Sequence, residues 1–324
     1  MSSYTNVTGI PLSLAVYLAT DHYDHDPETI SATALIKPVK QVILASRVPA
    51  HQRTTDILQL VKSRMGTSIH SGIELAWAGG HYKQAMRKLG YPEAVIDKVV
   101  INPDPDNLPV GAIPVYMEKR ERRSIGGRVV SGKYDFIAEG RLEDFKTTST
   151  YVWVKGTRDT SHQLQGSIYR WLNPKIITES YMVIQYLFSD WKQSMTKSPG
   201  YPQRPVEPHR IPLLSLDDTE DYILAKLQLL DRLKNAPEDS MPTCSEADLW
   251  RDAPVWKYYK DPAKTTRSTK NYDNKEEANL RAAQEGGIVL EKPGEVRACN
   301  YCAALPVCQQ AKGYVEDGSL ILAR

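Results

Sequence analysis

The chain has 324 residues, 41% hydrophobic and 25% charged, with 41 Lys and Arg against 39 Asp and Glu. That length suits one sizeable core plus an appended smaller element, and with a mean hydropathy of -0.44 the composition excludes a disordered chain and a membrane protein. A net charge of +2 does not identify a nucleic-acid binder, because phosphate recognition depends on local basic clusters rather than on the total.

The N-terminus lacks a basic signal-like region, and the apolar stretch 10–19 is too short to span a bilayer, so a cytoplasmic protein is expected. His22 and His25, among acidic neighbours, read as a solvated loop. Residues 30–64 read as helical, broken near Pro49. A second helix is expected over 67–89, starting behind Gly66 with Thr67 or Ser68 as N-cap, ending at Gly90, and burying Ile69, Ile73, Ala76 and Trp77. After a Pro- and Asp-rich loop over 102–109, strands are expected at 113–122, 128–138 and 141–148. Gly126-Gly127 and Glu139-Gly140 act as turns, which makes the three a meander.

A helix over 161–172, strands over 180–188 and 210–216, and a periodic helix over 217–233 complete the core. The segment with Pro199, Pro202, Pro205, Pro208 and Pro212 reads as an irregular connection. It carries Lys192, Lys197, Arg204 and Arg210, an exposed loop by composition or else one that contacts DNA. The fold class predicted is α/β, a mixed central sheet of about five strands flanked by helices. Beyond Asn235 the chain turns polar and irregular, placing a boundary between a core over 1–235 and a C-terminal module over 236–324.

The most informative stretch runs from Ser131 to Lys146. With Glu139-Gly140 as a two-residue turn, Ala138 pairs with Arg141, and counting back sets Asp135 opposite Asp144. Opposed side chains lie about 5 Å apart, where like charges destabilise the pair, so a positive charge is needed between them. Mg²⁺ or Mn²⁺ fits, being held by one or two carboxylates plus waters and phosphate oxygens. Alternation puts Lys146 on the same face as Asp144 and turns Glu143 and Phe145 away. By spacing alone, an exposed hairpin with solvated charges fits as well.

There are four cysteines, too few for a disulfide scaffold. Three of them, Cys299, Cys302 and Cys308, fall close together, a pattern of metal ligation in a reducing compartment. Cys244 is the only other cysteine.

Gly132-Lys133-Tyr134-Asp135 followed by Asp144-Phe145-Lys146-Thr147 resembles the G-x-x-D and D-x-K-T signatures of RecB-like nucleases of the PD-(D/E)xK superfamily. Gln165 and Tyr169, one helical turn apart, are similar to that branch's Q-x-x-x-Y motif, and Gly66 to His70 resembles its G-x-x-x-H helix. All four lie in the family's order. The resemblance implies a restriction-endonuclease-like fold, with His70 joining Asp135 and Asp144 as metal ligands, Lys146 catalytic, and Gln165 and Tyr169 holding DNA or orienting the lysine. Without it, His70 reads equally as a hydrogen-bonded histidine.

The cysteine group resembles that of the iron-sulfur members of this branch, which implies a [4Fe-4S] cluster on Cys244, Cys299, Cys302 and Cys308, with Zn²⁺ chemically permitted. One departure is clear. The family's first cysteine precedes the nuclease core, in a helix resembling residues 31–38, and no cysteine occurs there.

The expected activity is metal-dependent hydrolysis of DNA phosphodiesters, in particular exonuclease action on DNA ends in recombination, repair or phage DNA processing. No Walker A sequence is present, so a helicase motor would come from a partner. The rival is a non-catalytic DNA-binding or assembly protein, which has no use for two facing carboxylates that repel phosphate.

Overall fold

The computed structural model describes residues 3–20, 26, 28–156 and 158–322; His22 and His25 lie outside them. Glu139 and Gly140 both adopt positive φ, 52° and 76°, the mirror-image turn whose twist matches the strands it joins. The ladder beyond it pairs Ala138 with Arg141, Ile137 with Leu142 and Phe136 with Glu143, as counted from the sequence.

That hairpin sits inside a mixed sheet of six strands in the order Val206–Pro212, Tyr181–Phe188, Arg141–Thr148, Phe136–Ala138, Ile113–Met117, Val99–Ile101. Arg141–Thr148 and Tyr181–Phe188 run parallel, as do Ile113–Met117 and Val99–Ile101; the other pairs are antiparallel. The helix Asp159–Leu172 buries Ile168, Tyr169 and Trp171 in the same core as Leu142, Met182, Ile184 and Tyr186. A second cluster gathers Tyr82, Val99, Val115, Met117 and Phe136, with Trp77 and Phe145 against it.

The meander differs from expectation in an instructive way. The strand predicted over 113–122 breaks at Glu118, whose φ is 51°, and the one over 128–138 breaks after Lys133. Arg120–Ile125 and Arg128–Lys133 form a separate three-stranded sheet with Ile30–Ser31. At the crossing, the Glu118 N–H donates to the Asp135 carbonyl at 3.2 Å. Both chain crossings therefore occur side by side.

Three further expectations need correction. The histidine helix starts at Val61 and ends at Ala78, with Gly66 in its interior; Gly79-Gly80 separates it from His81–Lys88. No residue of it is fully buried, and Ala76 is exposed. The proline segment supplies the strand Val206–Pro212, in which Pro208 pairs with Gln185 and Pro212 with Tyr181. It is an edge strand, where an absent N–H costs no ladder bond.

The chain divides into two units, Met1–Lys37 with Thr54–Leu229, and Pro38–Arg53 with Leu230–Arg324. The second unit thus takes in residues 38–53 as well as the C-terminal stretch. It holds a three-stranded antiparallel sheet, Lys270–Tyr272, Val255–Tyr259 and Ile288–Lys292, and buries Met241, Leu249, Tyr258, Tyr259, Ala278 and Val296. It has a small apolar core of its own, where the sequence suggested irregular chain. No helix among the described residues is long and apolar enough to cross a membrane.

The turn gives a direct test of the hairpin. A Cβ at Gly140 would lie 2.1 Å from the Thr178 hydroxyl oxygen, on a backbone with φ +76°. Gly140→Ala should lower stability by roughly 1–3 kcal/mol through backbone strain and that contact, whereas Glu139→Asn should leave it unchanged or raise it, since Asn-Gly is the preferred pair for this turn. Urea unfolding of the two variants checks both, and equal stability of wild type and Gly140→Ala would argue against the turn.

Candidate active site

Asp144 is 1% exposed, yet its carboxylate meets the Lys146 ammonium at 2.5 Å. Burial raises its pKa to about 6, opposed by the Lys146 charge and reinforced by Asp135. Asp135, one residue beyond the last ladder pair Phe136–Glu143, accepts a hydrogen bond from the Phe145 N–H at 3.0 Å. Burial works against its charge, but the His70 imidazole, Lys146 and the Phe145 N–H outweigh that and hold its pKa below the usual range.

His70 reaches this point from the helix Val61–Ala78. Its Nδ1 lies 3.4 Å from an Asp135 oxygen, and its Nε2 is 2.9 Å from the Phe145 carbonyl oxygen. Desolvation opposes its charge, yet Asp135 and Asp144 raise its pKa on balance.

Glu118 is the residue that sequence reasoning missed. His70, Glu118 and Asp135 present ligand atoms that all lie within 4.8 Å of one another. Glu118 pairs with Lys133 at 2.5 Å, and burial raises its pKa. Read as the interior of a long strand it had no special standing; only the break and the positive φ bring it beside Asp135. The grouping with His70 is thus Glu118 and Asp135, while Asp144 is engaged by Lys146.

His70, Glu118, Asp135 and Lys146 line one open cleft of about 680 Å³, whose walls also carry Lys62, Arg64, Arg120, Lys133 and Tyr169, while Asp144 is buried. Glu143 points elsewhere, between Arg141 at 2.6 Å and Gln185 at 2.9 Å.

Gln165 and Tyr169 do share a helical face, the Gln165 amide donating to the Tyr169 hydroxyl at 2.9 Å. The Tyr169 ring also explains a glycine, because a Cβ at Gly132 would lie 2.8 Å from it and from Leu172. The glycine of one motif makes room for the tyrosine of another. One turn before Gln165, buried His162 has its pKa pushed down to about 4 by burial, with the Lys146 charge adding to it. It is a neutral imidazole near the lysine, and nothing in the sequence marked it.

In the second unit, all four cysteines line a single pocket, and none is in a disulfide. Burial pushes the Cys244 thiol up to about 12 and Cys299 to about 11. Thiols in that range stay protonated at neutral pH unless a cation stabilises the thiolate. Cys308 caps the helix Gln309–Glu316, its sulfur accepting from the Ala311 N–H at 3.4 Å. Lys40, from the segment 38–53 of the same unit, also lines the pocket wall. Lys40 is 4% exposed and lies 3.6 Å from Glu238, which also accepts from the Gln309 and Gln310 N–H groups.

No family model matches the chain, and no curated protein is found as a relative. Among solved structures it is similar to the crystal structure of SSO0001, with a TM-score of 0.40 and 18% identity over 72% of this chain and 89% of that one. A likeness of that degree carries no argument about the site.

The carboxylates and imidazole make cation binding pH-dependent with a definite sign. Below about 6, Asp144 gains a proton, and the raised pKa of His70 favours imidazolium, which cannot ligate. Both changes weaken a cation on the acid side. Mn²⁺ affinity measured by calorimetry should fall by at least about tenfold between neutral pH and pH 5, because ligands must be deprotonated. Glu118→Gln should weaken it by about tenfold at neutral pH, and an unchanged affinity would remove Glu118 from the ligand set.

Proposed function

We propose that this chain is a divalent-metal-dependent deoxyribonuclease of the RecB-like PD-(D/E)xK kind, acting as an exonuclease on DNA ends in recombination, repair or phage DNA processing. The observation that carries this reading is the convergence of Asp135, Asp144 and Lys146 from one hairpin with His70 and Glu118 from two other segments. A cleft with acids at its floor and Lys62, Arg64, Arg120 and Lys133 in its walls suits a phosphate backbone, since the bases can meet phosphate while the acids need a cation.

His70, Glu118 and Asp135 would hold Mg²⁺ or Mn²⁺, with Asp144 completing the negative charge around it. When bound, the ion polarises a phosphate oxygen and makes water a better nucleophile at neutral pH. Lys146, held by Asp144, is the group that orients the nucleophile or neutralises charge developing on the phosphate. Gln165 and Tyr169 support that wall of the site through their mutual hydrogen bond. A helicase motor, where one is used, comes from a partner chain.

The four-cysteine pocket fits a thiolate-bound metal group, a [4Fe-4S] cluster by the resemblance or Zn²⁺ with the same ligands. Cys244, Cys299, Cys302 and Cys308 would hold it, and Lys40 supplies a buried positive charge beside the thiolates. The group's contribution is a cross-link between residues 244 and 308 within the second unit.

End-labelled linear DNA and closed circles, incubated with Mg²⁺, Mn²⁺ or EDTA, test the activity. Linear substrate should be degraded only with metal while circles survive; no cleavage in either metal would leave the non-catalytic DNA-binding reading. Asp144→Asn and Lys146→Ala should each fall below about a tenth of wild-type rate, given the several kcal/mol that metal and charge stabilisation supply. Glu143→Gln should stay within about threefold, because its carboxylate serves Arg141 and Gln185.

Anaerobically purified protein should be brown, with about four irons per chain; colourless protein with stoichiometric zinc would keep the pocket and reject iron. Cys244→Ser and Cys302→Ser should lower metal content equally, and full retention in Cys244→Ser would exclude it as a ligand.

A further inference from the structure

The second unit carries a concentration of positive charge that the site above does not use. Between 257 and 270 lie Lys257, Lys260, Lys264, Arg267 and Lys270 against the single acid Asp261. That local excess of four exceeds the whole chain's +2. All of it falls on the hairpin formed by Val255–Tyr259 and Lys270–Tyr272.

This hairpin is an ordered support rather than a loose loop. Tyr258 is fully buried and donates its hydroxyl hydrogen to the Gly286 carbonyl at 2.8 Å. The tip is closed at its base by the Thr269 N–H on the Tyr258 carbonyl at 2.8 Å and the Lys260 N–H on the Thr269 hydroxyl at 3.1 Å. Lys260, Lys264, Arg267 and Lys270 are exposed, and Lys264 is 84% exposed at its side chain. Among the described residues, Lys264 alone of the five forms an ion pair, with Asp261 at 3.4 Å. Lys270 lies over the Tyr272 ring at 4.7 Å.

An exposed set of like charges with one acid among them raises the energy of the folded chain unless a polyanion is near. We infer that this hairpin is a second DNA-binding surface, an electrostatic anchor that grips the phosphate backbone without reading sequence, separate from the cleft lined by His70 and Asp135. The inference rests on the DNA-acting reading, and its chemistry is that of Lys and Arg on phosphates. It supplies affinity for polymer beyond the scissile phosphate, so it acts on binding and not on the chemical step.

The test is fluorescence anisotropy of a labelled duplex with the full chain in EDTA, over salt from about 50 to 200 mM. The variant Lys260→Ala/Lys264→Ala/Arg267→Ala is compared with Lys88→Ala/Lys98→Ala/Lys312→Ala, which removes the same charge elsewhere. The hairpin variant should weaken binding by at least about tenfold at 100 mM salt and flatten the log-log salt slope by about two to three, near 0.9 per lost phosphate contact. Its metal content and its cleavage rate at saturating DNA should match wild type.

Equal weakening in both variants, or none in the hairpin variant, overturns the anchor while leaving cleavage, and hence the nuclease reading, intact. Hairpin-dependent binding by a chain that cleaves nothing keeps the anchor and removes the nuclease. Wild-type protein that binds no DNA overturns the anchor as well.

Discussion

The Asp135 and Asp144 carboxylates repel each other, and the first unit is arranged around that repulsion. Asp144 is buried where solvent cannot screen it, so its charge depends on Lys146 at 2.5 Å. Asp135 is held by His70 and by the Phe145 N–H. Lys146 and His70 each favour the charged form of both acids, so the two carboxylates share their cationic partners. A buried pair that loses one partner leaves an uncompensated charge, which costs far more than a surface pair is worth. Asp144, Lys146, Asp135 and His70 therefore form one electrostatic network.

Close packing transmits that constraint outward. Tyr169 presses on Gly132, where even a methyl group would stand 2.8 Å away, and Gly132 lies two residues before the break that releases Tyr134 and Asp135 from the smaller sheet. The break at Asp135 is matched by the one at Glu118, joined through the Glu118 N–H and the Asp135 carbonyl. A positive φ at a glutamate is uncommon and is held only where the surroundings determine it. Here it turns a residue of an edge-to-edge crossing into a neighbour of His70.

The sequence carried the hairpin because its information is local. A two-residue turn with Gly at its second position and strict alternation leave one register, so the pairs from Ala138–Arg141 to Phe136–Glu143 follow by counting, whereas the ladder ends before the expected Asp135–Asp144 pair. Gln165 and Tyr169 were legible for the same reason, through the helical period. Glu118 was not, since a strand that leaves one sheet for another looks identical in pattern to one that continues. Gly66 looks like a helix boundary in sequence, but a glycine in the interior of an exposed helix costs only about 1 kcal/mol and is tolerated, and the helix runs through it from Val61. The prolines misled in the opposite direction. They exclude a ladder interior, but an edge strand satisfies the same rule, and Pro208 and Pro212 sit on one.

The cysteine pocket poses the reverse problem. Three of its members are close in sequence, but what makes it a site is the arrival of Cys244 and Lys40 from elsewhere in the second unit. Burial holds the Cys244, Cys299 and Cys308 thiols high, so a metal group bound there would have to expel protons, and the resulting thiolates would leave negative charge in a largely apolar pocket. Lys40 is already buried there, paired to Glu238, which in turn is tied to the Gln309 and Gln310 N–H groups at the helix start and faces Cys308 at 3.7 Å. A lysine is costly to bury without a partner, and Glu238 alone neutralises it in the protonated state. As Cys308 loses its proton the local balance becomes negative by one, with the Glu238 carboxylate at 3.7 Å opposing the thiolate and Lys40 favouring it.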